Sequence, residues 1–227
     1  EYWKSIEFSL FHKVAVSYYP SYVEEEAIHA VDETIPVKAI TAYVYEEFLQ
    51  NLNKDFAKRE GLLFVGGFAH PPNADAVLWF AKEVFPKIRE QIKVNFYIVG
   101  SKVTDEIKAL EQPGNGIIVK GFVSEEELAD LYRNCRIVVV PLRYGAGVKG
   151  KVVEAIYNGA PIVTTSVGSE GIPDVEKVLL VKDQPDEFAE TVVELYKDEK
   201  RLEDLAEKTQ VYIREHFSID AAWDVIK

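Results

Sequence analysis

In the stretch RYGAGVKGKVVE, residues 143–154, three basic side chains, Arg143, Lys149 and Lys151, fall within nine positions and are interleaved with Gly145, Gly147 and Gly150. Cations spaced by glycines suit anion binding, because glycine lets backbone N–H groups approach closely and lysine or arginine supplies charge. Gly145, four residues, then Gly150-Lys151 satisfy the first seven positions of the phosphate-loop pattern GxxxxGK[ST]. Val152 breaks it, since that position must offer a hydroxyl to Mg²⁺. Downstream, KVLLVKD reaches Asp183 only after Lys182, so no apolar run ends in an acid suited to the metal. A nucleotide hydrolase is therefore set aside in favour of diphosphate binding without an obligatory metal. Glu154, three residues after Lys151 and on a similar helical face, is placed to accept hydrogen bonds from ribose hydroxyls. The plain alternatives are solvated lysines beside a turn and a Glu154 salt bridge to Lys149 or Lys151.

The rest of the composition narrows the field. A formal net charge of -12 argues against a nucleic-acid surface, which needs clustered Lys and Arg, and makes the basic island at 143–151 a local feature. The single cysteine, Cys135, can form neither an intramolecular bridge nor a thiolate metal site. His12, His29, His70 and His216 lack partners at metal-ligand spacing, so no metal site is expected. No apolar run approaches the ~20 residues of a membrane span. The expected location is cytoplasmic, with the full-length protein peripheral at a membrane as a further option. The absence of methionine and the glutamate at position 1 predict a piece of a longer protein.

The elements that must position these residues alternate in type. LLFVGG (62–67), NFYIVG (95–100), IIVKGF (117–122), RIVVVPL (136–142), APIVTT (160–165) and KVLLVK (177–182) read as buried strands. Between them lie amphipathic stretches: one helix over 74–91, TDEIKALE, SEEELADLYRN with Ser124 and Glu127 as a capping box, and KGKVVEAIYNG ended by Gly159. Three closing helices follow Pro185. The prediction is an α/β chain with a Rossmann-like parallel sheet covered by helices on both faces. KVAVSYY (13–19), a helix opened by a box from Ser21 to Glu24, and VKAITAY (37–43) form a separate strand-helix-strand unit. Residues 1–48 are thus expected to be the tail of a larger amino-terminal domain, 49–60 a polar linker and 61–227 the main domain.

LLFVGGFAHPPNADAVLWF, IIVKGFVSEEELADLY, RIVVVPLRYGAGVKGKVVEAIYNGAPIVTTSVGSEGI and FSIDAAW together resemble the carboxy-terminal, donor-binding domain of family 4 glycosyltransferases of the GT-B fold. The resemblance covers about 61–227, and residues 11–48 resemble the last unit of that family's acceptor-binding domain. It implies that Gly66, Gly67 and Phe68 form the glycine turn facing the donor, and that Gly121, Phe122 and Val123 line the base. It also implies that Gly147, Val148, Lys149, Gly150 and Lys151 hold the diphosphate, and that Glu154, as the second glutamate of E-x7-E, binds ribose.

Two positions depart from the pattern. Ala146 stands where the first glutamate of E-x7-E touches the sugar, and GGFAHPPNAD offers only His70 where many members carry Arg and Lys. Arg143 and Lys151 are expected to supply the missing charge and to act in catalysis by stabilising the departing diphosphate. The implied activity is transfer of a sugar, with retention, from a nucleoside-diphosphate sugar to a hydroxyl of a carbohydrate or lipid-linked acceptor, the missing amino-terminal domain completing the site. No cofactor is expected. The alternatives are a non-catalytic nucleotide-binding domain of the same fold and a nucleotide-sugar epimerase.

Overall fold

The structure, a computed structural model, describes residues 2–227. The chain opens with α1 (Tyr2–Phe11), then β1 (Ser17–Tyr19), α2 (Tyr22–His29) and β2 (Val37–Ala39), with β1 and β2 parallel. Both strands are shorter than the runs 13–19 and 37–43 predict. Among the described residues they have only each other to pair with, and that pairing spans three residues. Ser21 does precede α2, but its hydroxyl bonds the Glu24 carboxylate and caps no backbone N–H, so the predicted capping box is not formed.

The main sheet is built from β3 (Leu62–Val65), β4 (Phe96–Val99), β5 (Ile117–Gly121), β6 (Ile137–Val140), β7 (Ile162–Thr164) and β8 (Leu179–Val181). All neighbours are parallel in the order β5-β4-β3-β6-β7-β8. The covering helices are α3 (Pro71–Trp79), α4 (Phe85–Gln91), α5 (Asp105–Lys108), α6 (Glu125–Asn134), α7 (Gly150–Tyr157), α8 (Ser166–Ser169), α9 (Pro185–Lys197), α10 (Glu199–Phe217) and α11 (Ile219–Ile226). The strands are continuous apolar runs because both faces are covered: Leu62, Leu63, Phe64, Ile137, Val139, Ile162 and Val163 are all fully buried. Order reverses between β3 and β6, the switch point at which open α/β sheets bind ligands outside the strands' carboxyl ends.

The single helix expected over 74–91 is instead α3 and α4 joined by a π-helical turn, Phe80–Val84. Pro86 has no N–H to give and its ring crowds the carbonyl four residues back, which suits the wider turn. The turn carries Phe80 into the core against Phe85, Phe96 and Phe188. At α6 the expected start is observed in half: Ser124 accepts from the Glu127 N–H at 3.2 Å, while the Glu127 carboxylate bonds Lys120 instead.

Residues 49–60 form no helix or strand, yet are pinned to the main unit. Phe56 is buried in the core, and the Arg59 guanidinium, also buried, donates to the carbonyls of Tyr132 and Cys135 at the end of α6. Arg136 donates back to the Phe56 carbonyl. Among the described residues no helix is long and apolar enough to cross a membrane.

Candidate functional site

At the switch point, β3 runs into Gly66-Gly67-Phe68 and β6 into the loop 141–149 that leads to α7. Between them opens a cleft of about 200 Å³, whose lining includes His70, Asn73, Tyr144, Ala146, Lys149 and Lys151. Space around the glycine turn is tight. A Cβ on Gly66 would lie 2.8 Å from the Lys151 Nζ, and one on Gly100 would lie 1.9 Å from the Gly66 carbonyl oxygen. Gly147 differs: nothing stands near its missing Cβ, but its φ of +77° selects glycine. A larger groove of about 490 Å³ lies along α10 beside Lys177 and Val178, at the amino end of β8 and so at the wrong end of the sheet for a ligand.

The three cations of the island have different partners. Arg143 is ion-paired with Asp75, its Nε 2.8 Å from Oδ2, and stacks toward Trp79; it stands outside the cleft lining with its charge neutralised. Lys149 reaches Glu170 at 3.0 Å and the Gly147 carbonyl. Lys151 alone has no carboxylate within ion-pair distance among the described residues. Its ammonium bonds the neutral Asn73 side chain and sits 4.8 Å from the Phe64 ring centre. Burial, and then the charge of Lys149, push it down to about 8. The alternative of solvated lysines is thus not what the fold builds.

Lys151 is the second residue of α7, and the N–H groups of Gly150 and Lys151 have no acceptor among the described residues. No side chain caps this helix start. Two open donors and the positive end of the helix dipole therefore face the same space as an uncompensated ammonium.

One turn on, Glu154 forms no salt bridge with Lys149 or Lys151; it is largely buried, and burial raises its carboxyl above the ordinary value while the Tyr132 hydroxyl works in the opposite direction. Tyr132, buried on α6, lies near enough to Glu154 to be raised well above its own ordinary value by burial and by that charge, yet its hydroxyl closes no aligned hydrogen bond. Tyr45 stacks on Tyr157 of α7, ring centres 4.2 Å apart, and burial and Glu154 push it up to about 12. At the carboxyl end of β5, Gly121 adopts φ +69° and turns Phe122 outward, 82% exposed, while Val123 packs on the core.

The fold therefore brings together Gly66, Gly147, Lys149, Gly150, Lys151 and, one helical turn away, Glu154. Gly67 backs onto Ser101, Val148 packs beside Gly171, and Ala146 lines the cleft without offering a polar group. His70 shapes the loop through its backbone, donating to the Gly67 carbonyl at 3.3 Å. Sequence reasoning missed Asn73, Glu170 and Tyr132. Asn73 carried a legible signal, a polar residue one step after the Pro71-Pro72 helix start; the other two meet the site only through tertiary packing. Among the described residues no group of three or more His, Cys, Asp or Glu is arranged to hold a metal ion.

Similar proteins share this architecture. A Staphylococcus aureus TarM mutant, solved with fondaparinux, α-GlcNAc-glycerol and UDP, superposes at a TM-score of 0.74 with 14% identity, over 95% of this chain and 44% of that one. Pneumococcal GtfA with UDP and GlcNAc gives 0.70 and 19%, over 99% and 46%. Anabaena HepE with UDP and glucose gives 0.68 and 15%, over 94% and 62%. These likenesses show the fold. A Klebsiella pneumoniae protein described as an uncharacterized 44.6 kDa protein in the cps region is 29% identical over 184 residues, 77% of this chain and 45% of that one. The chain thus spans about half the length of the curated relative it matches. Residues 59–198 match the model of the group 1 glycosyl transferases, and the chain belongs to that family.

Proposed function

We propose that this chain forms the donor half of a retaining glycosyltransferase, and that the whole protein moves a sugar from a uridine-diphosphate sugar to an acceptor hydroxyl. The observation that carries the reading is Lys151: a partly buried ammonium without a carboxylate partner among the described residues, beside two open N–H groups, at the switch point of a parallel sheet. Uridine is favoured because TarM, GtfA and HepE were each solved with UDP.

In this arrangement the diphosphate lies across the start of α7, with Lys151 and Lys149 facing its oxygens. Glu154 accepts from the ribose, and the turn at Gly121-Phe122-Val123 borders the base. As the bond from the anomeric carbon to the diphosphate breaks, charge builds on the departing oxygen. Fixed donors and an ammonium already in place stabilise that charge without reorganising. The acceptor hydroxyl forms the new bond to the anomeric carbon and passes its proton to the departing diphosphate oxygen as the old bond breaks. Arg143, held by Asp75, acts at the edge of this site at most through its field. The Ala146 position supplies no carboxylate to the sugar, which favours as second reading a nucleotide-binding domain that does not turn over.

A UDP-release assay on the full-length protein, run with UDP-glucose and UDP-GlcNAc and a panel of carbohydrate and lipid-linked acceptors, tests the reading. Acceptor-dependent release that Lys151→Ala lowers by ~100-fold or more is expected from the loss of a charged contact in the transition state. Release unchanged by Lys151→Ala would overturn the role given to this site. Tight UDP binding with no release for any acceptor would favour the second reading.

A further inference from the structure

The start of α7 is touched by a residue from far outside the matched region. A Cβ placed on Gly150 would lie 2.7 Å from the Tyr43 hydroxyl oxygen, 2.9 Å from its Cε1 and 3.0 Å from its Cζ, so the phenol occupies the space a side chain at 150 would need. Glycine in the first turn of a helix costs helical propensity, and here it makes room for Tyr43. Since Cα–Cβ bonds in a helix tilt toward its amino end, a group at this Cβ position stands at the mouth of α7, on the side of the open N–H groups of Gly150 and Lys151.

Tyr43 is held on both sides. The Thr41 hydroxyl accepts from the Tyr43 N–H at 3.1 Å and donates to the Tyr43 carbonyl at 3.0 Å. Two residues on, the Tyr45 N–H donates to the Phe217 carbonyl at 2.8 Å, and the Tyr45 ring stacks on Tyr157 at the far end of α7. The segment 41–45 therefore runs along the helix that bears Lys151 and Glu154, with its backbone fastened and its rings seated. The one polar group it aims at the start of that helix, the Tyr43 hydroxyl, has no hydrogen-bond partner among the described residues.

We propose that Tyr43 is a further donor-binding residue, whose hydroxyl hydrogen-bonds a phosphate oxygen of the nucleoside diphosphate at the start of α7. The proposal rests on the donor-site reading above and deepens it. The phenol donates to the anion alongside the N–H groups of Gly150 and Lys151, from a segment that leads directly out of β2. A diphosphate bound there bridges the segment after β2 and the helix after β6, so donor binding tightens the joint between the two sheets.

The test is calorimetric titration of the chain with UDP, comparing wild type, Tyr43→Phe and Tyr43→Ala, each checked for cooperative thermal unfolding. Loss of one hydrogen bond to a charged group predicts that Tyr43→Phe weakens UDP binding by about tenfold, with the ring packing kept. Equal affinity of Tyr43→Phe and wild type, with a loss only in Tyr43→Ala, would show that the ring packs without bonding and would overturn the proposal. Tighter binding in Tyr43→Phe or Tyr43→Ala would make the phenol an obstruction and overturn it as well. Failure of wild type to bind UDP would instead remove the donor-site reading, and the proposal with it.

Discussion

Lys151 differs from its neighbours in what it lacks. Arg143 and Lys149 each have a carboxylate, whereas Lys151 has an amide oxygen and an aromatic face, and its ammonium is pushed from 10.5 down to about 8. Two opposite pH dependences follow. On the proposed reading the charged form binds the diphosphate, so affinity for UDP is expected to fall as pH rises through about 8, by roughly tenfold over the next one to two units, and this slope is expected to disappear in Lys151→Met. Stability moves the other way: between about 8 and 10.5 the unfolded chain holds a proton that the folded chain has lost, so Lys151 contributes stability that rises with pH across that window. Urea titrations of wild type and Lys151→Met at pH 7.5 and 10 read that difference. Glu154 gives a third expectation. If its carboxylate accepts from ribose, Glu154→Ala, which leaves no acceptor there, brings the affinities for UDP and 2′-deoxy-UDP together; a preserved ratio would assign the discrimination elsewhere. The sequence displayed the cations and Glu154, but which cation is left without a carboxylate depends on Asp75 and Glu170, which the fold alone brings near.

At the scale of elements, the site depends on glycine where strands end. Gly100→Ala sets a methyl group 1.9 Å from the Gly66 carbonyl, backbone against backbone, and is expected to destabilise the chain by about 2–4 kcal/mol in urea unfolding. Phe80→Ala, emptying the centre of an aromatic cluster with Phe85, Phe96 and Phe188, is expected to cost about 3–5 kcal/mol. The six main strands were legible because burial on both faces leaves runs such as IVVV and LLFV that no other element explains. The short strands at 17–19 and 37–39 were over-read, since apolar residues continue past the point where a pairing partner exists. The π turn escaped because periodicity passes smoothly through it; Pro86 inside an otherwise helical stretch was the available sign.

For the whole molecule, a net charge of -12 surrounds a small positive cleft, so the bulk field opposes an anionic ligand and the local ammonium and N–H groups must overcome it. Added salt screens both. The buried guanidiniums of Arg59 and Arg136 tie residues 53–60 to the core, and Tyr43 and Tyr45 tie the segment after β2 to α7. If the proposed donor site is right, this crossing couples donor binding to the placement of the first unit. The most direct test of the central claim is calorimetric titration of this chain with UDP, for wild type, Lys151→Ala and Glu154→Ala, with and without EDTA. Saturable binding that both substitutions weaken by about tenfold or more, and that EDTA leaves unchanged, is the predicted result. UDP binding that survives both substitutions, or that requires a divalent metal, would contradict it.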